Sequence, residues 1–315
     1  MYKLLKLNDF RQFKDMDISL GKRLTVLAGR NSTGKSTILG ILANSGELKK
    51  KDGTTYADGQ FRAEFSEIFH GSKKYDASGS DRIQIDIVDE NDDQIDYRKF
   101  RTAWQNDNGK DRFRVIPLKM LEDGKKTEAK MQIPVIYLGL SRLFPIGEAN
   151  EDKITTKKIK FIDDEQKQWF VEQYTQILSL YDTVTDVSNY SIGETDKKKG
   201  VGIETDKYDY LTNSSGQDNL GQILMAILSF KRLKKQREEW TGGLLLIDEI
   251  DATLHPAAQK RLIDLLTKEA KVNDIQVVVT THSSDLLKHI CNKTVHNNIT
   301  VSYTHLRAHE TSQDL

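Results

Sequence analysis

An eight-residue stretch that follows a short apolar run constrains the fold of this chain more than any other feature. The apolar run, Leu24–Ala28, contains one polar residue, Thr25, and a continuous run of this kind is typical of a strand buried on both faces of a sheet. The stretch after it, Gly29-Arg30-Asn31-Ser32-Thr33-Gly34-Lys35-Ser36, fits the pattern G-x-x-x-x-G-K-[ST]. The helical spacing of residues 36–48 follows directly. A strand, a glycine-rich turn and a helix in this order predict a phosphate-binding loop in an α/β fold.

Each residue type in this stretch has a chemical reason to be there. Glycines let backbone N–H groups turn towards phosphate oxygens, and the following helix presents its positive N-terminus to the anion. Lys35 is expected to reach the β and γ phosphates, and the Ser36 hydroxyl to ligate Mg²⁺. The predicted nucleotide-binding residues are Gly29, Arg30, Asn31, Ser32, Thr33, Gly34, Lys35, Ser36 and Thr37. The alternative is a glycine turn before an ordinary helix.

A second apolar run ends in two carboxylates. Leu244-Leu245-Leu246-Ile247 is followed by Asp248 and Glu249. Strand ends open onto the ligand crevice of α/β sheets, so both side chains are expected beside the phosphates. Asp248 is predicted to hold Mg²⁺, and Glu249 to orient and deprotonate the attacking water. The alternative is a strand terminus with solvated acids.

The remaining patterns divide the chain into a core and two additions. Residues 1–48 and 215–299 alternate strands with helices, which predicts a mostly parallel sheet. Residues 49–146 are expected to form an antiparallel β insert, with a hairpin over 82–100. Residues 147–214 are expected to form a helical lobe, with a helix over 161–181 and an exposed loop over 193–209. The prediction is therefore one α/β domain over residues 1–300.

Composition excludes several classes of protein. Lys and Arg number 47, as do Asp and Glu, so no overall charge attracts nucleic acid or an acidic membrane. Cys291 is the single cysteine, which excludes a disulfide scaffold and favours a reducing compartment. No apolar stretch approaches the 18 residues that a membrane span needs. A cytoplasmic location is the expectation.

Four further segments resemble the motifs of one family. They are the entry segment Leu7-Asn8-Asp9-Phe10-Arg11-Gln12-Phe13, the signature-like segment Asn213-Ser214-Ser215-Gly216-Gln217, the D-loop-like segment Ile250-Asp251-Ala252-Thr253-Leu254-His255-Pro256, and the switch segment Val277-Val278-Val279-Thr280-Thr281-His282-Ser283. Their order and spacing over residues 1–299 resemble the ABC-type ATPase head, in particular SMC-like and OLD-like AAA ATPases. The resemblance implies a P-loop NTPase fold.

The resemblance also implies a mechanism in which two heads sandwich two ATP molecules with Mg²⁺. Ser214 and Gly216 of one head would contact the γ-phosphate bound by the other, through a helix N-terminus. His282 would contact the γ-phosphate and help to position the water, and Arg11 would approach the nucleotide. Lys35, Glu249 and His282 are thus the expected catalytic residues of an ATPase. For the Ser-Ser-Gly turn taken alone, a helix cap remains the alternative.

The sequence departs from the family pattern at three places. His255 stands where an aspartate is usual, and Asn213 where the signature begins with leucine. No glutamine follows the expected strand at residues 135–138, where the Q-loop of the family would lie. Ser141 and Arg142 are both candidates to replace the Q-loop glutamine.

Three functions remain open at this stage. The first is an ATPase that controls a nuclease or toxin in anti-phage defence or DNA maintenance; the absence of sustained heptads over residues 49–213 argues against a long coiled coil. The others are an ATPase subunit of a transporter and a nucleotide-gated scaffold with little turnover. A basic run could contact DNA, with a solvated helix end as the alternative: Lys231, Arg232, Lys234, Lys235 and Arg237.

The final residues have an unusual composition. Residues 301–311, Val-Ser-Tyr-Thr-His-Leu-Arg-Ala-His-Glu-Thr, resemble the in-frame translation of a sequencing adapter. Residues 301–315 are therefore interpreted as a non-native tail, with a natural polar tail as the alternative.

Overall fold

The computed structural model of the chain describes residues 1–89, 93–121, 123–161, 163–193, 199–292 and 299–303. The strands in this part of the chain are β1 (Tyr2–Phe10), β2 (Phe13–Ser19), β3 (Leu24–Ala28), β4 (Gly79–Val88), β5 (Gln94–Asp107), β6 (Lys110–Met120), β7 (Lys126–Thr127), β8 (Val135–Leu138), β9 (Ile154–Lys158), β10 (Val184–Ile192), β11 (Lys199–Thr205), β12 (Gly243–Ile247), β13 (Ile275–Thr281) and β14 (Ile299–Tyr303). The α-helices are α1 (Lys35–Ala43), α2 (Phe65–Ile68), α3 (Asp164–Leu178), α4 (Ser215–Gln236), α5 (Pro256–Asn273) and α6 (Ser284–Cys291).

A five-stranded parallel sheet forms the centre of the molecule, in the order β14-β3-β13-β12-β8. Every residue of β3, β12 and β13 is buried, as their mostly apolar sequences predict. The carboxyl ends of β3 and β12 lie at the same edge of the sheet with only β13 between them. The predicted α/β class with a parallel core is confirmed.

Alternate residues of the central strands face opposite sides of this sheet. Leu245 and Ile247 belong to one buried cluster with α3, α4 and α5, whereas Leu244 and Leu246 belong to a second cluster with α1 and the antiparallel sheet. Because both faces are covered, the strands are held rigidly and the loops at their ends have fixed positions.

A six-stranded antiparallel sheet, in the order β2-β1-β4-β5-β6-β7, covers the α1 side. The predicted hairpin over 82–100 is formed by β4 and β5, with Ile85 opposite Arg98. The predicted limits of the insert, 49–146, do not describe this sheet. The sheet also includes β1 and β2, which precede residue 49. Strand β8 lies within 49–146 but pairs in parallel with β12 instead, because its short apolar run fits a strand covered on both faces.

Residues 147–214 combine the predicted helix, α3, with a three-stranded antiparallel sheet in the order β11-β10-β9. The prediction of an exposed loop over 193–209 is wrong for β11, where Val201 and Ile203 are buried. The polar composition of residues 193–209 suggested a loop, yet two glycines of β11 pack against tyrosines: a Cβ atom at Gly200 would overlap the Tyr190 ring, and one at Gly202 would overlap the Cβ of Tyr210. The predicted helical lobe therefore contains both a helix and a three-stranded sheet.

Strand β14 lies at the edge of the parallel sheet, beside β3. It includes residues 301–303 of the stretch interpreted as a non-native tail, while residues 304–315 lie outside the described residues. The adapter interpretation stays a prediction. Among the helices of the described residues, none has the length and hydropathy to cross a membrane.

Candidate functional site

The loop between β3 and α1 has the backbone conformation of a phosphate cradle. Gly34 lies in the left-handed region with φ of 85° and directly precedes α1, whose N-terminus has no side-chain cap. A Cβ atom on Gly34 would overlap the side chains of Gln12 and Phe13 from the β1–β2 turn. The uncapped N–H groups of α1 therefore remain available to an anion at a point where only glycine fits.

Lys35 follows this glycine and curls back over the loop. Its ammonium group donates to the carbonyl oxygens of Gly29 and Arg30, each at 2.8 Å. Burial lowers the pKa of Lys35, and the nearby charges of Asp248 and Glu249 oppose that shift. The lysine thus supplies a positive charge at the cradle, held in place by the loop itself.

A threonine of β13 contacts both residues after β12, through the carboxylate of Asp248 and the backbone of Glu249. The Thr280 hydroxyl donates to Asp248 Oδ1 at 2.7 Å and accepts from the backbone N–H of Glu249 at 2.7 Å. Asp248 is 3% exposed and Thr280 is fully buried. Thr280 was not assigned a role from the sequence, although a polar residue at the end of a mostly apolar strand, two positions before His282, could have indicated one.

His282 lies at the end of the same strand, near Glu249. Its Nε2 atom is 3.9 Å from Glu249 Oε1, and both side chains remain about one-third exposed. The backbone N–H of His282 donates to Asp251 Oδ1 at 3.4 Å. The histidine and the glutamate therefore face the same space without forming a close hydrogen bond to each other.

These groups line one open cavity of about 210 Å³. Its lining consists of Gln12, Asn31, Ser32, Thr33, Gly34, Lys35, Ser36, Thr37, Asp248, Glu249 and His282. All of these except Gln12 were predicted from the sequence to act at the nucleotide site. Gly29 and Arg30 do not line the cavity; their carbonyl groups hold Lys35 instead.

The side chains around the cavity fit Mg²⁺ that is bound together with a polyphosphate. Ser36 and Asp248 both line it and supply one hydroxyl and one carboxylate. No cluster of three or more His, Cys, Asp or Glu side chains is found in the described ranges, so the protein offers no complete metal cage there. Mg²⁺ suits such a partial site, since it keeps water ligands and takes others from substrate phosphates.

Arg11 does not line the cavity, contrary to its predicted approach to the nucleotide. Its guanidinium binds Asp76 through two hydrogen bonds of 3.0 and 3.3 Å and lies 5.1 Å from the centre of the Phe65 ring. The β1–β2 turn directs residue 11 onto the antiparallel sheet and α2 and directs Gln12 towards the cradle. The side-chain direction depends on this turn, where Arg11 has φ of 55°.

Ser214 and Gly216 lie at the start of α4, and neither lines the cavity of its own chain. Ser214 is the N-cap of α4 and forms a capping box with Gln217. Gly216 packs so closely on the following loop that a Cβ atom would lie 2.5 Å from the carbonyl oxygen of Thr253. The helix-cap alternative is thus correct within one chain, and it leaves Ser214 exposed at a helix N-terminus.

The basic run at the end of α4 is paired within the chain. Lys231 binds Glu269 at 3.1 Å, and Lys234 binds Asp274 at 2.7 Å. Lys235 binds Asp163 at 3.2 Å, and Arg232 lies over the Tyr56 ring. Because these four cations have intramolecular partners, the contacts favour the alternative interpretation, in which the basic run is a solvated helix end. The predicted DNA contact, which also included Arg237, is correspondingly less favoured.

One departure from the family pattern, His255, has a local explanation. His255 is the N-cap of α5, where its Nδ1 accepts from the backbone N–H of Ala257 at 3.3 Å. In this position the imidazole does what an aspartate cap would do. After β8, where a glutamine was expected, Ser141 is exposed and Arg142 is buried.

Comparisons with known proteins point to one family. A family model described as an AAA ATPase domain matches residues 1–211 and, in a second alignment, residues 94–287. The uncharacterized protein MJECL11 of Methanocaldococcus jannaschii is 44% identical over 46 residues. That match covers 15% of this chain, and the chain spans only 40% of that protein's length.

Solved SMC head domains resemble the structure. The Smc head bound to the C-winged helix domain of ScpA has a TM-score of 0.50 at 18% identity, with 91% of both chains covered. The SMC head domain from Thermotoga maritima has a TM-score of 0.45 at 14% identity. A TM-score of 0.47 at 15% identity is found for the Smc head domain with an extended coiled coil, bound to the C-terminal domain of ScpA and derived from Pyrococcus furiosus. Each match covers 91% of both chains. At such identities, the match with a TM-score of 0.50 establishes the fold and nothing more.

Proposed function

We propose, on the premise that this chain belongs to the AAA ATPase domain family, that it binds Mg-ATP in the cavity at the end of the parallel sheet and hydrolyses it to ADP and phosphate. The observation that carries the proposal is the single cavity lined by Lys35, Ser36, Asp248, Glu249 and His282. These side chains come from three strand ends and would have no reason to converge in an ordinary loop region.

Each side chain has a distinct task in this reaction. The α1 amides and Lys35 bind the β and γ phosphates, and Ser36 and Asp248 hold the metal. A bound Mg²⁺ supplies positive charge where negative charge develops on the transferred phosphoryl group. Glu249 takes a proton from the attacking water on its carboxylate as the new oxygen–phosphorus bond forms and the bond to ADP breaks. His282 orients the γ-phosphate.

We further propose that hydrolysis requires a dimer. Ser214 and the N-terminus of α4 lie outside the cavity of their own chain, so they could reach a γ-phosphate only in a second copy. A helix N-terminus with an exposed hydroxyl suits a phosphate oxygen. Two copies related by a twofold axis would then complete two sites at once.

The test is the mass of the full chain in solution, with and without Mg-ATP, for Glu249→Gln. This change removes the base but keeps the shape of the side chain, so ATP is bound and not consumed. The expected result is a monomer without nucleotide and a dimer with Mg-ATP. Phosphate release should fall by about 10²-fold or more, as expected when a general base is lost.

A matched pair of second substitutions tests the route through α4. Ser214→Asp and Ser214→Asn both retain a good N-cap and have nearly equal size, but only the aspartate sets a negative charge against the phosphate. In the Glu249→Gln background, the Asp variant should stay monomeric while it still binds ATP, and the Asn variant should dimerise at least partly. If both dimerise equally, the α4 contact is wrong. If Glu249→Gln binds ATP and never dimerises, the sandwich is wrong.

The process that the ATPase serves is proposed from the sequence resemblance. The D-loop-like segment and the absence of sustained heptads favour control of a nuclease or toxin in anti-phage defence or DNA maintenance over a transporter role. The presence of Glu249 argues against a scaffold without turnover. Co-expression with the neighbouring genes tests this choice. A copurifying nuclease would support it, and a membrane-spanning partner would contradict it.

A further inference from the structure

Arg142 is a buried arginine that contacts three separate parts of the molecule. It is 3% exposed and lies in the turn after β8. Its Nε donates to Asn219 Oδ1 of α4 at 2.8 Å, and its Nη2 donates to the backbone carbonyl of Glu249 at 2.9 Å. The third nitrogen, Nη1, donates to the carbonyl groups of Leu138 and Gly139 at 3.1 and 2.9 Å. One side chain thus joins β8, α4 and the segment after β12.

The backbone that Arg142 holds is in an unfavourable conformation. Glu249 has φ of 48°, in the left-handed region, which costs a residue with a side chain about 1–2 kcal/mol. Its N–H donates to the Thr280 hydroxyl, and its carbonyl accepts from Arg142 and from the Ala252 N–H at 3.1 Å. Such a conformation persists only where the surroundings over-determine it.

Asn219 extends the connection towards the start of α4. Its Nδ2 donates to the Ala252 carbonyl at 3.0 Å and to Thr253 Oγ1 at 3.2 Å, and the residue is fully buried. The Thr253 carbonyl is the group on which Gly216 packs. Arg142 and Asn219 therefore set the position of residues 249–253 relative to the first turns of α4.

A lysine could not make the same set of contacts. The four acceptors lie around one planar guanidinium, and an ammonium group on a flexible stem cannot face them all. Burial lowers the pKa of Arg142 to about 10, with the charge of Asp248 opposing the shift, so the side chain remains a cation at neutral pH. Burying a cation among neutral acceptors costs folding free energy, so the presence of one here indicates a specific role for this residue.

We infer, building on the ATPase function proposed above, that Arg142 is a positioning residue: it keeps the Glu249 carboxylate directed at the phosphate cavity and in register with the start of α4. Engagement of α4 by a second copy would be transmitted through Asn219 and Arg142 to the base of the same chain. The residue occupies the place in the chain where a glutamine was expected, but it acts through Glu249 and has no contact with the cavity.

The experiment compares Arg142→Lys with Arg98→Lys, which removes another buried arginine, in the antiparallel sheet. Turnover and nucleotide affinity are measured separately, and hydrogen–deuterium exchange follows the amides of residues 249–253. Arg142→Lys should lower kcat by about tenfold to 10²-fold, as small misplacements of catalytic groups do, with KM and Kd for ATP changed less than about threefold. Exchange at the Ile250 and Ala252 amides should accelerate. Arg98→Lys should leave all of these unchanged.

A second substitution and a second background make the test independent of one variant. Asn219→Ala cuts the same connection at its other end and should reproduce the exchange pattern. In the Glu249→Gln background, Arg142→Lys should cause no further loss of turnover, because the group through which it acts is already gone. A further loss there, or equal effects of the Arg142 and Arg98 substitutions, would overturn the inference.

Failure of the underlying ATPase proposal is separately visible. If the unmodified chain binds ATP and releases no phosphate, the proposed function fails. The exchange measurement then decides the positioning role alone: faster exchange confined to residues 249–253 and the first turns of α4 supports it, and unchanged exchange in both Arg142→Lys and Asn219→Ala contradicts it.

Discussion

Thr280 links the two carboxylate positions of the cavity through a single hydroxyl group. It donates to the side chain of Asp248 and accepts from the backbone of Glu249, and it is fully buried. If the hydroxyl is removed, the buried Asp248 carboxylate and the partly buried Glu249 amide lose the same partner, and each bears a desolvation cost. The residue therefore affects both stability and the geometry of the site.

Replacement of Thr280 by valine keeps the shape and removes the hydroxyl. The free energy of unfolding should fall by about 1–3 kcal/mol, because an acceptor and a donor are left buried without this partner. Phosphate release should fall as well, since Asp248 and Glu249 lose a common support. Urea unfolding and a phosphate-release assay measure the two effects. Thr280→Ser keeps the hydroxyl and is the control; equal behaviour of the two variants would contradict the prediction.

Arg11 and Gln12 are neighbours in sequence with different surroundings. Gln12→Ala should weaken Mg-ATP binding by about threefold to tenfold, the value of one hydrogen bond, and leave the free energy of unfolding unchanged. Arg11→Met keeps the apolar stem but removes the pair with Asp76, so it should lower the free energy of unfolding by about 1–3 kcal/mol. Calorimetric titration measures the affinity for Mg-ATP, and urea unfolding measures the free energy of unfolding, so the two effects are distinguished. A larger loss of affinity in the Arg11 variant would restore the original prediction for that residue.

At the scale of elements, the start of α4 is fixed by contacts on several sides. Asn213 bonds to both backbone groups of Ile203 in β11, and Asp218 accepts from the Val201 N–H and the Tyr190 hydroxyl. Gly216 meets the Thr253 carbonyl on the opposite side. The three-stranded sheet and the loop after β12 thus hold the exposed Ser214 between them. Of this sheet, only β11 lies in the segment where a loop was expected, and that expectation did not indicate its contacts with α4.

The close approach at Gly216 can be tested with one methyl group. In a solvent-exposed helix, Gly→Ala would stabilise, but here the Cβ atom would lie 2.5 Å from the Thr253 oxygen, so the helix or the loop must shift. Overpacking of this kind should lower the free energy of unfolding by about 1–3 kcal/mol in Gly216→Ala. Ser215→Ala, one residue earlier, should change it little. Thermal unfolding of both variants is the measurement, and a stabilised Gly216→Ala would contradict the assigned contact.

At the scale of the whole molecule, β14 completes the parallel sheet beside β3. Ile299 is 9% exposed, and Val301 packs against the cluster that includes α4 and α5. The boundary of the tail interpreted as adapter-derived, at residue 301, therefore falls inside this strand. Residues 301–303 pair with β3 whatever their origin.

Two chains that end at residues 300 and 303 differ only in the second half of β14. The longer one should have a free energy of unfolding higher by about 1–3 kcal/mol, because Val301 adds buried apolar surface and the ladder on β3 is extended. Urea unfolding of both chains compares them under the same conditions. Equal midpoints would mean that residues 301–303 contribute nothing, and this would favour the adapter interpretation.

Local pattern alone was enough to predict the phosphate loop, the strand that ends in Asp248 and Glu249, and the α/β class. These features depend on residues adjacent in the chain: an apolar run predicts a doubly buried strand, and glycines with a lysine predict a cradle, whatever lies around them. Nine of the eleven residues that line the cavity were predicted in this way, and the resemblance to the ABC-type head added His282.

Only the tertiary structure decided which distant groups meet. The direction of Arg11, the pairing of β8 with β12 and the bond of Arg142 to Glu249 depend on partners about 65 to 110 residues away. The packing of Gly200 and Gly202 depends on two tyrosines that are nearer in sequence but belong to other elements. Charges and glycines are especially ambiguous, because a lysine run or a glycine pair has the same local preference whether it faces solvent or a ring. Burial and pairing remove that ambiguity, and they are properties of the packed chain rather than of any segment of it.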